Sequence, residues 1–347
     1  MFKRLITCTD GTWNKPAERD AEGHILYSNV CYLYDAIAPK DKNGIEQLKV
    51  YDTGVGSSYR IWDKVTGGLT GAGLDEKIKD CYTFLMLNYA PGDHIYLFGF
   101  SRGAYTARSL AGFIRCCGIL RPDYIHLVDK AYDLYRNRND YTEPESDLMR
   151  SFRQNYCFEN VTRIKFVGVW DTVGALGIPL HLWQMYNKAK YKFHDTTLSS
   201  TIDYAYHALA IDEHRSNFAP ELWAVSDNKK HGATIDLEQR WFSGVHSDIG
   251  GGYPETGLSN HALHWMAEKA EACGLHFETS KLKEHKSHIM DKAHKSFTFP
   301  YWFSGWLLRP INPLQKDCQT IDESVFTRIR EIKNYRPKNI IPNIFKL

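Results

Sequence analysis

The chain has 347 residues, 43% of them hydrophobic and 24% charged, a balance that buries a substantial core and excludes a mainly disordered polypeptide. Its 43 basic and 41 acidic residues leave a formal charge of +2, so no global field selects nucleic acid or an anionic membrane as partner. The eight cysteines are scattered without a Cys-x-x-Cys spacing, which argues against zinc or redox chemistry and reads as reduced, mostly buried thiols.

The first predicted strand covers residues 5–9. Lys3 and Arg4 precede it, but the apolar run is too short for a signal-peptide core, and no later segment is apolar for long enough to span a bilayer. The expectation is a soluble protein made in the cytoplasm, whether or not it stays there. A helix over 28–37 leads to a strand at 48–51. A second helix over 74–89 stops at Pro91-Gly92-Asp93 and gives way to the strand 94–100. Helices follow over 104–117 and 123–135, then strands over 163–170 and 240–245 and a helix over 261–273. Residues 137–154 and 274–295 are polar and charged and read as surface insertions. An aromatic segment, 297–308, lies near the C-terminus. The expectation is one domain spanning 1–347.

Five strands alternating with helices predict an α/β fold with a mostly parallel central sheet and helices on both faces. Each strand is followed by residues able to do chemistry: Asp10-Gly11-Thr12, Asp52-Thr53-Gly54, Ser101-Arg102-Gly103, Asp171-Thr172-Val173 and His246-Ser247-Asp248. The carboxyl ends of parallel strands share one edge, so residues far apart in sequence meet there.

Gly99-Phe100-Ser101-Arg102-Gly103 is a G-x-S-x-G motif placed between a β-rich run and a helix, the setting of a nucleophile elbow. The architecture is therefore expected to be α/β-hydrolase-like. A serine hydroxyl needs a base, and the base needs an orienting acid. Asp171 and His246 follow at later strand ends, in the order Ser, Asp, His of this fold. Each also has a plainer reading: Asp171 as a cap on the N–H groups of Val173 or Gly174, His246 as a satisfied core histidine among 15 histidines. The Arg102 N–H, opening a helix, is the first expected oxyanion donor, and Gly11 or Thr12 the second. Asp10 and Asp248 are candidates for substrate contact or support of the site. A rival set, Asp10, Asp171, His246 and Asp248, would suit a metal-dependent phosphoesterase. The serine reading needs no cofactor and no metal.

Several blocks together resemble the catalytic domain of the type VI secretion phospholipase effectors, formerly an uncharacterised α/β-hydrolase domain family of bacteria and fungi. They are Cys8-Thr9-Asp10-Gly11-Thr12-Trp13-Asn14, Tyr51-Asp52-Thr53-Gly54-Val55-Gly56, residues 99–108, residues 168–174, Tyr206-His207-Ala208-Leu209-Ala210 with Asp212-Glu213, and residues 244–253, joined late in the chain by Glu323-Ser324-Val325 and Tyr335-Arg336-Pro337. The resemblance covers nearly the whole chain. It implies a Ser101, Asp171, His246 triad and phospholipase A activity on a lipid ester. Two segments suit peripheral membrane contact: residues 300–308, rich in Trp and Tyr, and residues 178–191, which mix Trp183 and Tyr186 with Lys188 and Lys190 and continue to Lys192. Packing of both against the core is the alternative. The Arg102 side chain suits a phosphate headgroup or a structural ion pair. A binding protein that kept the fold without turnover is the reading outside enzymology.

Overall fold

A computed structural model of the chain describes residues 2–11, 18–19, 23, 25–53, 72–137, 139–174, 198–224, 235–298, 305–312 and 318–340. Among them a seven-stranded sheet is built from β1 (Arg4–Thr9), β2 (Gln47–Asp52), β3 (His94–Phe100), β4 (Ile164–Trp170), β5 (Ile202–Ala210), β6 (Asp236–Phe242) and β7 (Gln319–Ile321). The order across the sheet is β2-β1-β3-β4-β5-β6-β7, and every neighbouring pair is parallel. Glu18–Arg19 and Ile25–Leu26 form a separate two-stranded antiparallel ribbon.

The helices are α1 (Asn29–Ala36), α2 (Ala72–Asn88), α3 (Arg102–Cys117), α4 (Val128–Arg136), α5 (Asp147–Tyr156), α6 (His246–Gly250), α7 (Gly257–Ala272), α8 (Thr279–Glu284) and α9 (Glu323–Glu331). Because a strand alternates its faces, β3 sends Ile95 and Leu97 into one core and Tyr96, Phe98 and Phe100 into the other. The first core is closed by α2, α3, α4 and α5, the second by α1, α7 and α8. A third, smaller cluster joins Leu209, Ile211 and Trp241 to Ile311, Val325 and Ile340 at the β7 edge.

Sheet order fixes where a ligand belongs. The chain moves from β1 outward to β2, then returns past β1 to β3, so the winding reverses between β1 and β3. Loops leaving the carboxyl ends of those two strands diverge and open a crevice. The residues that follow them are Asp10-Gly11 and Ser101.

The structure departs from the sequence expectation in four places. Seven strands replace five: β7 was not anticipated, and β5 is alanine-rich, yet it is paired on both sides. The strand placed at 240–245 instead spans Asp236–Phe242, so His246 opens α6 rather than ending a strand. The helix placed at 123–135 divides into a 3-10 turn, Pro122–Leu127, and α4. The polar stretch 137–154 contains most of α5, whose Met149 and Phe152 are buried, while Leu275, Phe277 and Leu282 anchor 274–295 to the second core. Among the described residues no helix is long and apolar enough to cross a membrane.

Candidate active site

Ser101 stands between β3 and α3 with φ 58° and ψ −121°, a conformation that costs a non-glycine residue on the order of 1–3 kcal/mol. Its surroundings hold it there. The Ser101 N–H donates to Trp170 O at 3.0 Å, tying the elbow to the end of β4. A Cβ on Gly99 would lie 2.4 Å from Gly103 O, and one on Gly103 would lie 2.1 Å from Thr9 O. Only glycine fits at either position. Thr9 Oγ1 shares its proton between Phe98 O at 2.9 Å and Gly103 O at 2.7 Å, fastening β1 to both sides of the elbow.

His246 Nε2 lies 2.8 Å from Ser101 Oγ, and His246 Nδ1 lies 2.6 Å from Asp171 Oδ2. All three residues are buried, Asp171 completely. The imidazole is held between the rings of Phe100 and Phe218, at centroid distances of 4.6 and 4.8 Å. Its backbone N–H donates to Glu213 Oε2 at 3.2 Å. Glu213 is fully buried, paired in a fork with Arg215 and hydrogen-bonded by Ser296 Oγ. Burial would raise the Glu213 pKa, but Arg215 overrides it and holds the carboxyl at about 2.

Asp171, with φ 38°, follows β4. Besides His246, its carboxylate accepts the Ala210 N–H at 3.0 Å and two bonds from Arg309, Nη1 to Oδ1 at 2.6 Å and Nη2 to Oδ2 at 2.9 Å. Burial alone would raise its pKa; the Arg309 charge and the His246 bond outweigh that and hold Asp171 ionised, well below the usual carboxylate range. An ionised Asp171 keeps the proton on His246 Nδ1 and leaves Nε2 to accept from Ser101. Burial lowers the His246 pKa, against the opposing pull of Asp171. The next residue is fixed as well: the Thr172 N–H donates to His207 Nε2 at 3.1 Å, and burial, with the nearby Arg108 charge, lowers the His207 pKa to about 3, so that ring is neutral.

The remaining predicted residues fall into separate groups. Asp10 is buried beside the elbow, where it accepts from the Gly11 N–H at 2.6 Å, from Ser28 Oγ and from Tyr51 OH. The Gly11 N–H, one of the two groups considered as second oxyanion donor, is thus directed at the Asp10 carboxylate. Thr12 lies outside the described residues. Arg102 is the first residue of α3, which begins two residues ahead of the expected start at 104. Asp248 accepts from the Val245 N–H and the His294 N–H, both at 3.0 Å, and pairs with His294 Nδ1 at 2.6 Å, bracing α6 against residue 294. The four residues considered as a metal set therefore serve three different networks, and no three His, Cys, Asp or Glu side chains among the described residues gather to hold an ion. Residues 178–192 and 301–304 lie outside the described residues; Trp306 is exposed and stacks on His214 at 5.0 Å.

Sequence reasoning missed Arg309 altogether. His207 and Glu213 stood within blocks that carried the resemblance, but without a role. A single arginine before Pro310 gives no local sign that it will be buried against a carboxylate 138 positions away.

A parallel sheet, a strained strand-to-helix elbow at its winding reversal and a Ser–His–Asp chain of hydrogen bonds define the class, an α/β-hydrolase-like protein. Residues 3–269 match the family model described as T6SS, Phospholipase effector Tle1-like, catalytic domain, and the chain belongs to that family. The chain is similar to the uncharacterized protein YEL023C of Saccharomyces cerevisiae, 29% identical over 234 residues, covering 62% of this chain and 32% of that protein. Among solved structures it resembles an uncharacterized protein from Pseudomonas aeruginosa, with 18% identity, a TM-score of 0.47, and 83% of this chain and 49% of that one covered. It also resembles the Tle1 effector bound to the VgrG spike of the type 6 secretion system, with 20% identity, a TM-score of 0.37, and 73% and 51% covered. The chain thus spans about a third of the yeast protein and about half of each of these two.

Proposed function

We propose that this protein is a serine hydrolase that cleaves carboxylic esters, phospholipids among them, in the manner of a phospholipase A. The observation that carries the proposal is the unbroken chain Ser101 Oγ, His246 Nε2, His246 Nδ1, Asp171 Oδ2, at 2.8 and 2.6 Å. Membership of a phospholipase effector family supports the lipid substrate. His246 takes the Ser101 proton as Oγ attacks the ester carbonyl carbon, then gives it to the departing alcohol oxygen, leaving an acyl group on Ser101. Water, deprotonated by the same imidazole, attacks the acyl carbon; the bond to Ser101 Oγ breaks, the imidazolium returns the proton to that oxygen, and the fatty acid is released. The Arg102 N–H at the start of α3 serves the developing oxyanion, with Gly11 or Thr12 as second donor; Gly11 would serve once Asp10 releases its N–H. Peripheral contact with the lipid surface is part of the proposal, and exposed Trp306 favours it.

The test is hydrolysis of a phospholipid panel with products read by mass spectrometry, together with labelling by a fluorophosphonate. Ser101→Ala is expected to lose at least a thousandfold in turnover and all labelling while remaining folded. Retention of either activity or labelling would remove Ser101 from the role of nucleophile.

A further inference from the structure

The side chain that most needs explaining is one the proposed reaction does not use. Arg309 is fully buried, lies beyond residues 3–269, and sends its guanidinium to both oxygens of Asp171. Its remaining bonds go to Ala210 O at 2.8 Å and Phe218 O at 2.5 Å. Phe218 is the residue whose ring rests on His246. One cation therefore grips the acid and the backbone behind the imidazole together. Its own segment is stitched in place: the Leu307 N–H donates to His214 O at 2.8 Å, and Asn339 Nδ2 reaches both Ile211 O at 3.0 Å and Arg309 O at 3.3 Å.

We infer that Arg309 is a positioning residue for the site, orienting Asp171 and setting the pH at which His246 begins to act as a base. The inference rests on the serine-hydrolase reading above. The charges around His246 come from every side. Asp171 approaches from the end of β4. Glu213, after β5, accepts the His246 N–H and is itself paired with Arg215. Asp248, on the same helix, is paired with His294. Ser101, Phe100 and Phe218 complete the surroundings without charge. Glu213 and Asp248 have partners of their own, and the Arg215 charge opposes that of Glu213 at the ring; Asp171 is the anion bonded to the imidazole, and Arg309 is the cation paired with Asp171. Burial, with the Arg215 charge, outweighs the pull of Asp171 and keeps the ring neutral into mildly acidic solution; Arg309, paired with Asp171, limits that pull. Without Arg309, the field of Asp171 would favour the imidazolium, and activity would vanish at a higher pH as solution is acidified.

The experiment is the pH profile of kcat and kcat/KM on a soluble short-chain ester for the full chain, Arg309→Gln and Arg309→Lys. For Arg309→Gln we expect kcat to fall about tenfold or more, KM to stay within about twofold, and the acidic limb to move up by about one pH unit. Lysine keeps the charge and loses the fork, so Arg309→Lys should keep the limb in place while recovering only part of the rate. A limb that stays put in Arg309→Gln, or that moves equally in Arg309→Lys, overturns the inference. The His246 ring is also titrated by NMR in a Ser101→Ala background, with and without Arg309→Gln. That measurement needs no turnover: an inactive wild-type chain would sink the hydrolase reading, whereas an unchanged ring titration would sink the role of Arg309.

Discussion

Thr9 and Gly103 touch backbone to backbone: the space a Cβ on Gly103 would occupy lies 2.1 Å from the Thr9 carbonyl oxygen. This contact is what lets α3 begin directly over the end of β1, bringing the elbow to the winding reversal of the sheet. Gly103→Ala must push α3 away from β1, and an atom forced against rigid backbone has no flexible neighbour to yield. We expect a loss of about 3 kcal/mol in urea unfolding, with ester turnover falling alongside. A cost below about 1 kcal/mol would mean that the two elements separate more easily than their contact implies.

Strain at Ser101 gives a second prediction. Alanine and glycine both remove the hydroxyl and its bond to His246, but only glycine is at ease with φ 58°. Ser101→Gly should therefore be more stable than Ser101→Ala by about 1 kcal/mol, and equally inactive. Thermal melting of the two variants side by side reads the difference. Equal melting points would show that the elbow carries no strain.

Asp171→Asn should damage both activity and stability. The amide cannot sustain the imidazolium that forms during turnover, so kcat should drop on the order of ten-thousandfold. It also leaves the fully buried Arg309 without a counter-charge, at a cost of about 3–5 kcal/mol. Adding Arg309→Gln should restore much of the stability and none of the activity, a non-additive result that a double-mutant cycle measures directly. Strictly additive losses would argue that the two side chains are not coupled.

Glu213 predicts a pH dependence of stability. Its carboxyl is held at about 2 against an ordinary value of 4.5, so it binds protons less readily folded than unfolded. Its contribution is therefore fully present above about 4.5 and fades as pH falls toward about 2. Glu213→Gln should cost about 3 kcal/mol at pH 7, because Arg215 loses its partner, and the gap from the wild type should narrow as the solution is acidified below the ordinary glutamate range. Urea unfolding across that range is the check; a gap that widens with acid would reverse the assigned sign.

Several features of the site could be read before any coordinates. Ser101, Asp171 and His246 each follow a β-rich run, and the flanking Gly99 and Gly103 announce the elbow, because such signals are local. The strand β5 was hidden because Ile202–Ala210 carries three alanines together with Asp203 and His207, which dilute the branched and aromatic side chains that mark strands. Its place comes from the ladders of β4 and β6 on either side, which no local pattern reports. The buried α5 was hidden for a related reason: its apolar face is narrow, and Met149 and Phe152 are separated by Arg150 and Ser151, which face solvent.

The sequence by itself determined which groups stand at the strand ends and in what order, since hydrophobic periodicity and turn chemistry are written within a few neighbouring residues. Only the tertiary structure decided what surrounds those groups. Arg309 reaches Asp171, Glu213 receives the His246 N–H, and Asp10 claims the Gly11 N–H because separate segments pack into one low-dielectric pocket, where each buried charge must find a partner from wherever the chain brings one.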